Sequence, residues 1–224
     1  MKSKAVFMHI PRTGGTSILA ALDKSRGQVD RNVYNIGKSS INYAFHESYD
    51  KLIKACNIKK EILDKSFKFC FIRNVYSRLY SLSYGLEQRG EHGKDAFCKW
   101  ITVDLKKKMV KREKYRKTNP RKWECNIFNA DILRQWLFNI KGDFVPDWIG
   151  RYENLQEDFK KLCKILGIKH VQVPHLNSSN SIVGASRRMV NYNSKEYRKF
   201  YTPEARRLVE DLYAEEIEMF KFEF

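Results

Sequence analysis

The stretch HIPRTGGTSI, residues 9–18, stands where a strand would end and a helix would begin. It follows the apolar segment KAVFM, residues 4–8, and leads into the apolar run ILAAL, residues 18–22. Glycines in such a loop let the backbone approach a ligand closely, and the first N–H groups of the next helix attract an anion. The sequence therefore predicts an anion-binding loop after the first strand.

The loop is not the nucleotide-triphosphate loop G-x-x-x-x-G-K-[ST], because no second glycine stands before a lysine. An anion that needs no divalent metal fits better, and the five histidines show no metal-ligand spacing, so we predict no metal site. Backbone N–H groups, hydroxyls and one guanidinium would hold the anion, and these groups belong to Arg12, Thr13, Gly14, Gly15, Thr16 and Ser17.

A second anion site is predicted after the apolar run FKFCFI, residues 67–72. Arg73 follows this run directly, and Ser81 lies about two helical turns further along if a helix begins near Val75. Open α/β sheets bind ligands beyond the carboxyl ends of their strands, where Arg73 would lie. Ser77 and Arg78 are further candidates for the same site.

Short apolar runs alternate with helical patterns along the chain. This order predicts an α/β fold, a central and mostly parallel sheet flanked by helices, in one domain over residues 1–224. The predicted strands are residues 4–10, 67–72, 147–152 and, more weakly, 170–174. The predicted helices are residues 16–24, 48–56, 75–86, 154–168 and a C-terminal helix with one apolar stripe from Val209 to Phe220.

Two of these helices have sequence signals at their ends. Asn154 is a candidate N-cap with Glu157 three residues later, and Gly167 is a stop signal for the same helix. The C-terminal helix begins with Thr202 as its N-cap and Pro203 in its first turn.

The chain is strongly basic, with 43 Lys and Arg against 26 Asp and Glu and a formal charge of +17. This balance favours acidic partners: nucleic acid, anionic lipid, an anionic glycan or a polyanionic cofactor. Segment 106–122 carries ten basic residues and one acidic residue, and it is either a solvated helix face or a basic wall for an acidic acceptor. The five scattered cysteines, without a CxxC pair, favour reduced thiols.

Five segments occur in the order found in carbohydrate-type sulfotransferases, and the sequence resembles a compact, single-domain member of that family. They are VFMHIPRTGGTSI (6–18), FIRNVYSRLYSLSY (71–84), IGRYENLQEDFKKLCKILGI (149–168), PHLNSSN (174–180) and YTPEARRLVEDLYAEEIEMFKFEF (201–224). The likeness is weak over residues 85–130, which we interpret as an acceptor-side insertion. The resemblance implies a fold like that of the P-loop NTPases, with 3′-phosphoadenosine 5′-phosphosulfate as donor and 3′,5′-ADP as product.

The resemblance also implies roles for individual residues. The first loop matches the family's 5′-phosphosulfate loop, and Arg73 and Ser81 match the pair that grips the 3′-phosphate. A late loop with Ser186, Arg187 and Arg188 is similar in place to the segment that closes over the nucleotide. Many relatives have lysine where this chain has Arg12; since arginine never acts as an acid, Arg12 is expected to stabilise the leaving phosphate electrostatically.

The acceptor hydroxyl needs a base, and histidine is suited to this role near neutral pH. His46 precedes the predicted helix between the two cofactor strands, and relatives similarly place a histidine there as the base; Glu47 is the alternative base. His9 is expected to pack within the first strand and His175 to shape its loop.

Three residues are candidates for binding the acceptor, each with an alternative. Glu47 either contacts the acceptor or is the alternative base. Gln135 either lines the acceptor cleft or packs in a helix with Trp136. Arg151 either contacts the acceptor or pairs with Glu153 at a strand end.

The predicted function is transfer of a sulfuryl group to a hydroxyl, on a carbohydrate that is a candidate anionic polymer. The alternatives are a metal-dependent nucleotide kinase and a basic nucleic-acid-binding module; the missing lysine counts against the first, and the lack of a recognised binding motif counts against the second. Membrane-bound relatives work behind an anchor, whereas this sequence has no long apolar run, so we expect a cytoplasmic enzyme from a bacterium or virus.

Overall fold

A computed structural model describes residues 5–25, 33–34, 60–83, 86, 90–91, 93–118, 132–139, 141–175 and 195–224. The predicted helix at 48–56 and the late loop with Ser186, Arg187 and Arg188 lie outside these residues. The elements in chain order are β1 (Ala5–Met8), α1 (Gly15–Ser25), β2 (Val33–Tyr34), α2 (Lys60–Asp64), β3 (Phe67–Ile72), α3 (Val75–Leu82), α4 (Gly93–Lys99), a π-helix (Trp100–Leu105), α5 (Lys106–Thr118), α6 (Arg134–Leu137), β4 (Trp148–Arg151), a 3₁₀ turn (Tyr152–Asn154), α7 (Leu155–Leu166), a second 3₁₀ turn (Glu196–Phe200), α8 (Pro203–Leu212) and α9 (Ala214–Phe220).

The four strands form one parallel sheet in the order β2-β1-β3-β4. In its register, Met8 of β1 pairs with Cys70 of β3, and Ile72 of β3 pairs with Arg151 of β4. Parallel neighbours need crossover connections, and helices occur between successive strands of this chain. The predicted α/β class and the strands at 4–10, 67–72 and 147–152 are confirmed.

The two central strands, β1 and β3, form because they are apolar on both faces over most of their length, as is typical of buried parallel strands. All four residues of β1 and the last four of β3 are buried. Alternate residues, such as Phe7 and Phe69, point to the face on which α1 and α7 pack. That core cluster also contains Ala5, Ile18, Ala21, Leu22, Phe71, Leu155, Phe159, Leu162, Cys163 and Val173.

The predicted helix ends are largely confirmed. Gly167 follows α7 with φ of 64°, the left-handed backbone that favours glycine at a helix end. The side chain of Thr202 accepts a hydrogen bond from the N–H of Ala205, and Pro203 begins α8. Asn154 stands at the N-cap position of α7, but its side chain makes no capping bond there.

The prediction of a strand at 170–174 is wrong, since residues 168–175 form neither strand nor helix. The reason lies in the hydrogen bonds of Val173: its N–H donates to Oε1 of Gln156 at 3.0 Å, and its carbonyl accepts from Nε2 at 2.8 Å. One side-chain amide thus takes the place of a neighbouring strand, because a buried backbone group needs a partner of any kind.

Two other features differ from the prediction. The two-residue strand β2 was not predicted, because so short a segment carries no periodicity. The C-terminal apolar stripe is divided between α8 and α9, and the chain leaves the helical conformation at Tyr213.

The chain divides into two compact units. The first comprises Met1–Arg73 and Gln135–Asn193, with the whole sheet, and the second comprises Asn74–Arg134 and Ser194–Phe224. The second unit contains a buried ion pair between Arg78 of α3 and Glu216 of α9, with Nη2 and Oε1 3.4 Å apart. The other oxygen of Glu216 accepts from the N–H of Leu133 at 2.6 Å.

The environment of Glu216 contains opposing effects. Burial raises the pKa of its carboxyl, while the charge of Arg78 and the N–H of Leu133 act to lower this pKa. Both side chains of the pair are almost completely buried, at 0% and 3% exposure. A buried charge without its partner is strongly destabilising, so each member depends on the other.

Replacing Glu216 therefore tests how the second unit is held together. We expect Glu216→Gln to lower the free energy of unfolding by about 3–5 kcal/mol, because the amide can still accept from Leu133 but cannot neutralise Arg78. The measurement is urea unfolding followed by circular dichroism.

The neighbouring Glu215 provides the control, because it pairs with Arg134 on the surface, where both side chains are 47% exposed. Glu215→Gln should cost less than about 1 kcal/mol. Equal losses for the two variants would contradict the structural role given to Glu216.

Candidate functional site

The residues that follow three strands meet at one edge of the sheet. Because β1, β3 and β4 run parallel, their carboxyl ends lie side by side, at Met8, Ile72 and Arg151. The glycine loop follows the first of these ends, Arg73 follows the second, and Tyr152 follows the third. In open parallel sheets this edge is where ligands bind.

The loop backbone departs from the ordinary conformation at two residues. Arg12 has φ of 64° and Gly14 has φ of 84°, whereas Thr13 between them does not have a positive φ. Left-handed backbone is rare for a residue with a side chain, and non-glycine residues in this region cluster at functional sites. Alternation of left-handed and ordinary backbone is typical of anion-binding concavities lined by N–H groups.

Thr13 stabilises this backbone conformation through a buried hydrogen bond. Its side chain is buried, and its hydroxyl donates to the carbonyl of Ile10 at 2.9 Å. A hydroxyl has one proton to donate, so this bond differs from the expectation that the Thr13 hydroxyl donates to the anion. Thr13 therefore stabilises the loop through this bond.

Helix α1 begins directly after the loop. Its first hydrogen bond runs from the N–H of Ile18 to the carbonyl of Gly14, 3.0 Å long. Gly15, Thr16 and Ser17 thus occupy the first turn of α1. The N–H groups of a first turn have no hydrogen-bond acceptor within their own helix. The positive end of the helix dipole is there, so the site carries the charge that an anion needs.

Gly15 has no room for a side chain. A Cβ placed on it would overlap Nε2 of His9. The imidazole of His9 is stacked on Phe7 at a centroid distance of 5.5 Å and an interplanar angle of 14°. His9 therefore lies just after β1 and not within it as predicted, and its ring occupies the space beside the first helical residue.

Gly14 is restricted by a different neighbour. A Cβ there would lie 3.0 Å from Cδ2 of Tyr152, and its φ of 84° adds a conformational cost for any other residue. The guanidinium of Arg73 lies over the same Tyr152 ring, with Cζ 4.1 Å from the ring centroid. Tyr152 thus contacts both predicted anion-binding elements, and a cation over an aromatic face is attracted to it.

Arg73 connects the second element to the loop directly. Its Nη1 donates to the carbonyl of Arg12 at 3.3 Å. His175 also lies in its electrostatic field: burial lowers the pKa of the imidazole, and the positive charge of Arg73 lowers this pKa further. Arg12, Arg73, Tyr152 and His175 all belong to the first unit.

The structure also describes three further predicted site residues, Ser81, Gln135 and Arg151. Ser81 lies in α3 of the second unit and is half-buried. Gln135 is 3% exposed and Trp136 is 1% exposed, so both are packed within α6. Arg151 ends β4, and its N–H donates to Oδ2 of Asp158 at 2.8 Å. His46, Glu47, Ser186, Arg187 and Arg188 lie outside the described residues.

Sequence reasoning missed Tyr152 as a site residue and gave His175 only a loop-shaping role. The distance from Arg73 to Tyr152 along the chain is too great for any local pattern to report their contact. A usable signal was the aromatic residue that ends a predicted strand, since the residues at the carboxyl ends of parallel strands converge.

Within the residues that the structure describes, no group of three or more His, Cys, Asp or Glu could hold a metal ion. None of the helices described has the length and the apolar character required to cross a membrane.

The contact between His9 and Gly15 makes a paired prediction. Gly15→Ala should lower the free energy of unfolding by about 1–3 kcal/mol, because its methyl group would overlap the His9 ring. In a protein that already carries His9→Ala, and so lacks the ring, Gly15→Ala should cost much less than it does in the wild type. The four free energies form a double-mutant cycle measured by urea unfolding.

Gly14→Ala is the matched control. It is also expected to destabilise the protein, but through Tyr152 and its positive φ, so His9→Ala should not rescue it. Rescue of both alanine variants, or of neither, would show that the His9 ring does not restrict Gly15.

One comparison with known proteins found a match. A protein-family model described as "Sulfotransferase family" matches residues 1–223. No curated protein and no solved structure matches the chain significantly. The family match covers the glycine loop, Arg73, Tyr152 and the C-terminal helices in one alignment. The chain, a transferase with an α/β fold, belongs to the sulfotransferase family.

Proposed function

We propose that this protein is an O-sulfotransferase that uses 3′-phosphoadenosine 5′-phosphosulfate as donor and a carbohydrate hydroxyl as acceptor. The observation that supports the proposal most is the meeting of two cationic elements at the carboxyl edge of the sheet: Arg73 donates to the carbonyl of Arg12 within the loop that begins α1. Membership of the sulfotransferase family supports sulfuryl transfer, and the donor and acceptor are our inference.

The loop fits the phosphosulfate end of such a donor. At Gly14 and Gly15 the rings of Tyr152 and His9 lie where a side chain would stand, so the loop backbone carries no side chain at either position. The left-handed backbone at Arg12 and Gly14 and the N–H groups of the first turn of α1 are features of phosphate sites. Arg73 supplies a second cation for the 3′-phosphate, which Ser81 is proposed to share.

When bound, the nucleotide supplies an activated sulfuryl group whose release leaves negative charge on the 5′-phosphate. Arg12 and the N–H groups at the start of α1 stabilise that charge, since preorganised donors act most strongly where charge develops. Arg12 is permanently protonated, so it acts through its charge and does not donate a proton. His46 accepts the acceptor's proton on a ring nitrogen, with Glu47 as the alternative base.

The proposal also includes the other predicted contacts with the nucleotide and the acceptor. Ser186, Arg187 and Arg188 are proposed to close over the nucleotide, and Arg151 and Gln135 to bind the acceptor. Gln135 would need to become accessible to do so, because it is buried in α6. The scattered cysteines support a reducing compartment, and we propose a cytoplasmic location in a bacterium or a virus.

Variants of Arg73 and His46 should distinguish an effect on donor binding from an effect on the chemical step. Arg73→Ala should abolish turnover and weaken binding of 3′,5′-ADP about 10- to 100-fold, because a charged hydrogen-bond partner of the 3′-phosphate is lost. His46→Ala should lower kcat about 10²- to 10⁴-fold and leave the affinity for 3′,5′-ADP unchanged. Mass spectrometry of the sulfated product and calorimetry measure these effects.

The control ligand is 5′-AMP, which has no 3′-phosphate, and the control variant is Arg207→Ala, which removes an exposed arginine of α8. Arg73→Ala should change the affinity for 5′-AMP far less than that for 3′,5′-ADP. If wild-type protein binds both nucleotides equally, the assignment of a 3′-phosphate site is wrong. Magnesium-dependent ATP turnover would support the kinase alternative instead.

Tyr152 is expected to contribute to the same affinity through Arg73. Tyr152→Leu removes the aromatic face under the guanidinium and should weaken 3′,5′-ADP binding about 3- to 30-fold. Tyr152→Phe keeps that face and should stay within about threefold of the wild type. Equal affinities for the leucine and phenylalanine variants, measured by calorimetry, would contradict a role for the ring.

A further inference from the structure

The segment that follows α7 returns along that helix towards its beginning. The N–H of Ile168 donates to the carbonyl of Cys163, near the end of α7, at 3.0 Å. Five residues later, Val173 is hydrogen-bonded to Gln156 in the first turn of α7. Successive bonds thus lie closer to the start of the helix, and we name residues 168–175 the return segment.

Two hydrogen bonds from one side chain hold the far end of the return segment. Oε1 of Gln156 accepts from the N–H of Val173 at 3.0 Å, and its Nε2 donates to the carbonyl of Val173 at 2.8 Å. Gln156 and Cys163 lie about 10 Å apart along the helix, whereas the chain from Ile168 to Val173 can cover about 17 Å when extended. The return segment is therefore long enough to reach the start of α7.

His175 lies two residues beyond these bonds, at the edge of the sheet where Arg73 lies. The start of α7 comes shortly after Tyr152, whose ring lies under the guanidinium of Arg73. The imidazole of His175 is half-buried, its Nε2 is buried, and the charge of Arg73 acts on it. Arg73, Tyr152, Gln156 and His175 all belong to the first unit. The return segment thus brings an imidazole to the predicted anion site.

The protonation of this imidazole depends on whether an anion is bound. Burial lowers the pKa of His175, and the positive charge of Arg73 lowers this pKa further. A phosphate bound at Arg73 opposes the second effect, because its negative charge favours an imidazolium beside it. The imidazolium also donates from both ring nitrogens, whereas the neutral ring donates from one. Protonation and anion binding should therefore favour each other, since such coupling is reciprocal.

We propose that His175 is a further binding residue for the anion that Arg73 binds, that it takes up a proton from the solvent when this anion binds, and that Gln156 is its positioning residue. The proposal rests on the proposed function for the identity of the anion, which is the 3′-phosphate of the nucleotide. The affinity for the donor then increases as the pH falls towards the range in which the free imidazole is itself protonated.

Other groups at this edge also carry charge or titrate, and the test must separate them from His175. Among the described residues they are His9 and Arg12 before and in the loop, Arg73 after β3, Tyr152 and Glu153 after β4, and Glu157 of α7. The phosphates of the nucleotide titrate near pH 6 as well. All of these groups are the same in the wild type and in His175→Gln, so the difference between the two proteins measures the proton on His175.

The test is calorimetry of 3′,5′-ADP binding to the full chain, in two phosphate-free buffers with different enthalpies of ionisation. Near pH 6.5, the wild type should take up about 0.3 to 1 proton more per bound nucleotide than His175→Gln. From about pH 8 to about pH 6, the affinity of the wild type should increase about 3- to 10-fold relative to that of His175→Gln. The nucleotide 5′-AMP, which has no 3′-phosphate, should cause no proton uptake that depends on His175.

Gln156 is tested through the same proton. Gln156→Leu removes both bonds to Val173 and should lose most of the proton uptake that depends on His175. Gln172→Leu is the matched control, because it changes the same residue type at an exposed position of the return segment, and its proton uptake should equal that of the wild type. A loss of stability alone does not change the number of protons taken up per bound nucleotide, and circular dichroism checks the folding of each variant.

Equal proton uptake by the wild type and His175→Gln would overturn the proposal, even if both proteins bind the nucleotide. Uptake by Gln156→Leu at the level of the wild type would overturn the positioning role of Gln156. The same His175-dependent uptake with 5′-AMP would overturn the assignment to the 3′-phosphate. A wild-type protein that failed to bind 3′,5′-ADP would refute the proposed function together with this proposal, whereas binding without the extra proton would refute this proposal alone.

Discussion

The site depends on the absence of side chains at two consecutive residues. At Gly14 and Gly15, the rings of Tyr152 and His9 lie where a Cβ would stand, so neighbouring residues fill the space on one side of the loop. The backbone of the loop is thus held between these rings and the ligand it is proposed to bind. The bare backbone is both a packing requirement and the source of the N–H groups that give the site its affinity for anions.

Much of the fold was predictable because its signals are local. β1 and β3 are short, near-continuous apolar runs, and runs of this length are typical of buried parallel strands. Thr202 and Gly167 mark helix ends through bonds and backbone angles that involve residues one turn away. The glycine loop was likewise recognisable, since it lies directly between an apolar strand and an apolar helix in one short stretch of sequence.

The features that sequence did not reveal are those made by distant residues. Val171 and Val173 alternate like a strand, yet Gln156 satisfies the backbone of Val173 from a helix. Tyr152 lies far beyond Arg73 along the chain, and only the sheet register brings them together. The hydroxyl of Thr13 was expected at the ligand, but the carbonyl of Ile10 beneath the loop accepts its proton. In each case the contact made by one side chain depends on the folded chain and has no signature in the local sequence pattern.

Because the carboxylate of Glu216 is buried and paired, the C-terminal residues are needed for the stability of the fold. It lies only about two helical turns before Phe224, and it joins α9 to Arg78 and to Leu133, in segments far away along the chain. A protease that removed the chain after Tyr213 would leave the glycine loop and Arg73 untouched, yet it would strip a fully buried guanidinium of this counter-charge. Limited digestion at that end should therefore inactivate the protein by unfolding, while the residues of its glycine loop and Arg73 are all still present.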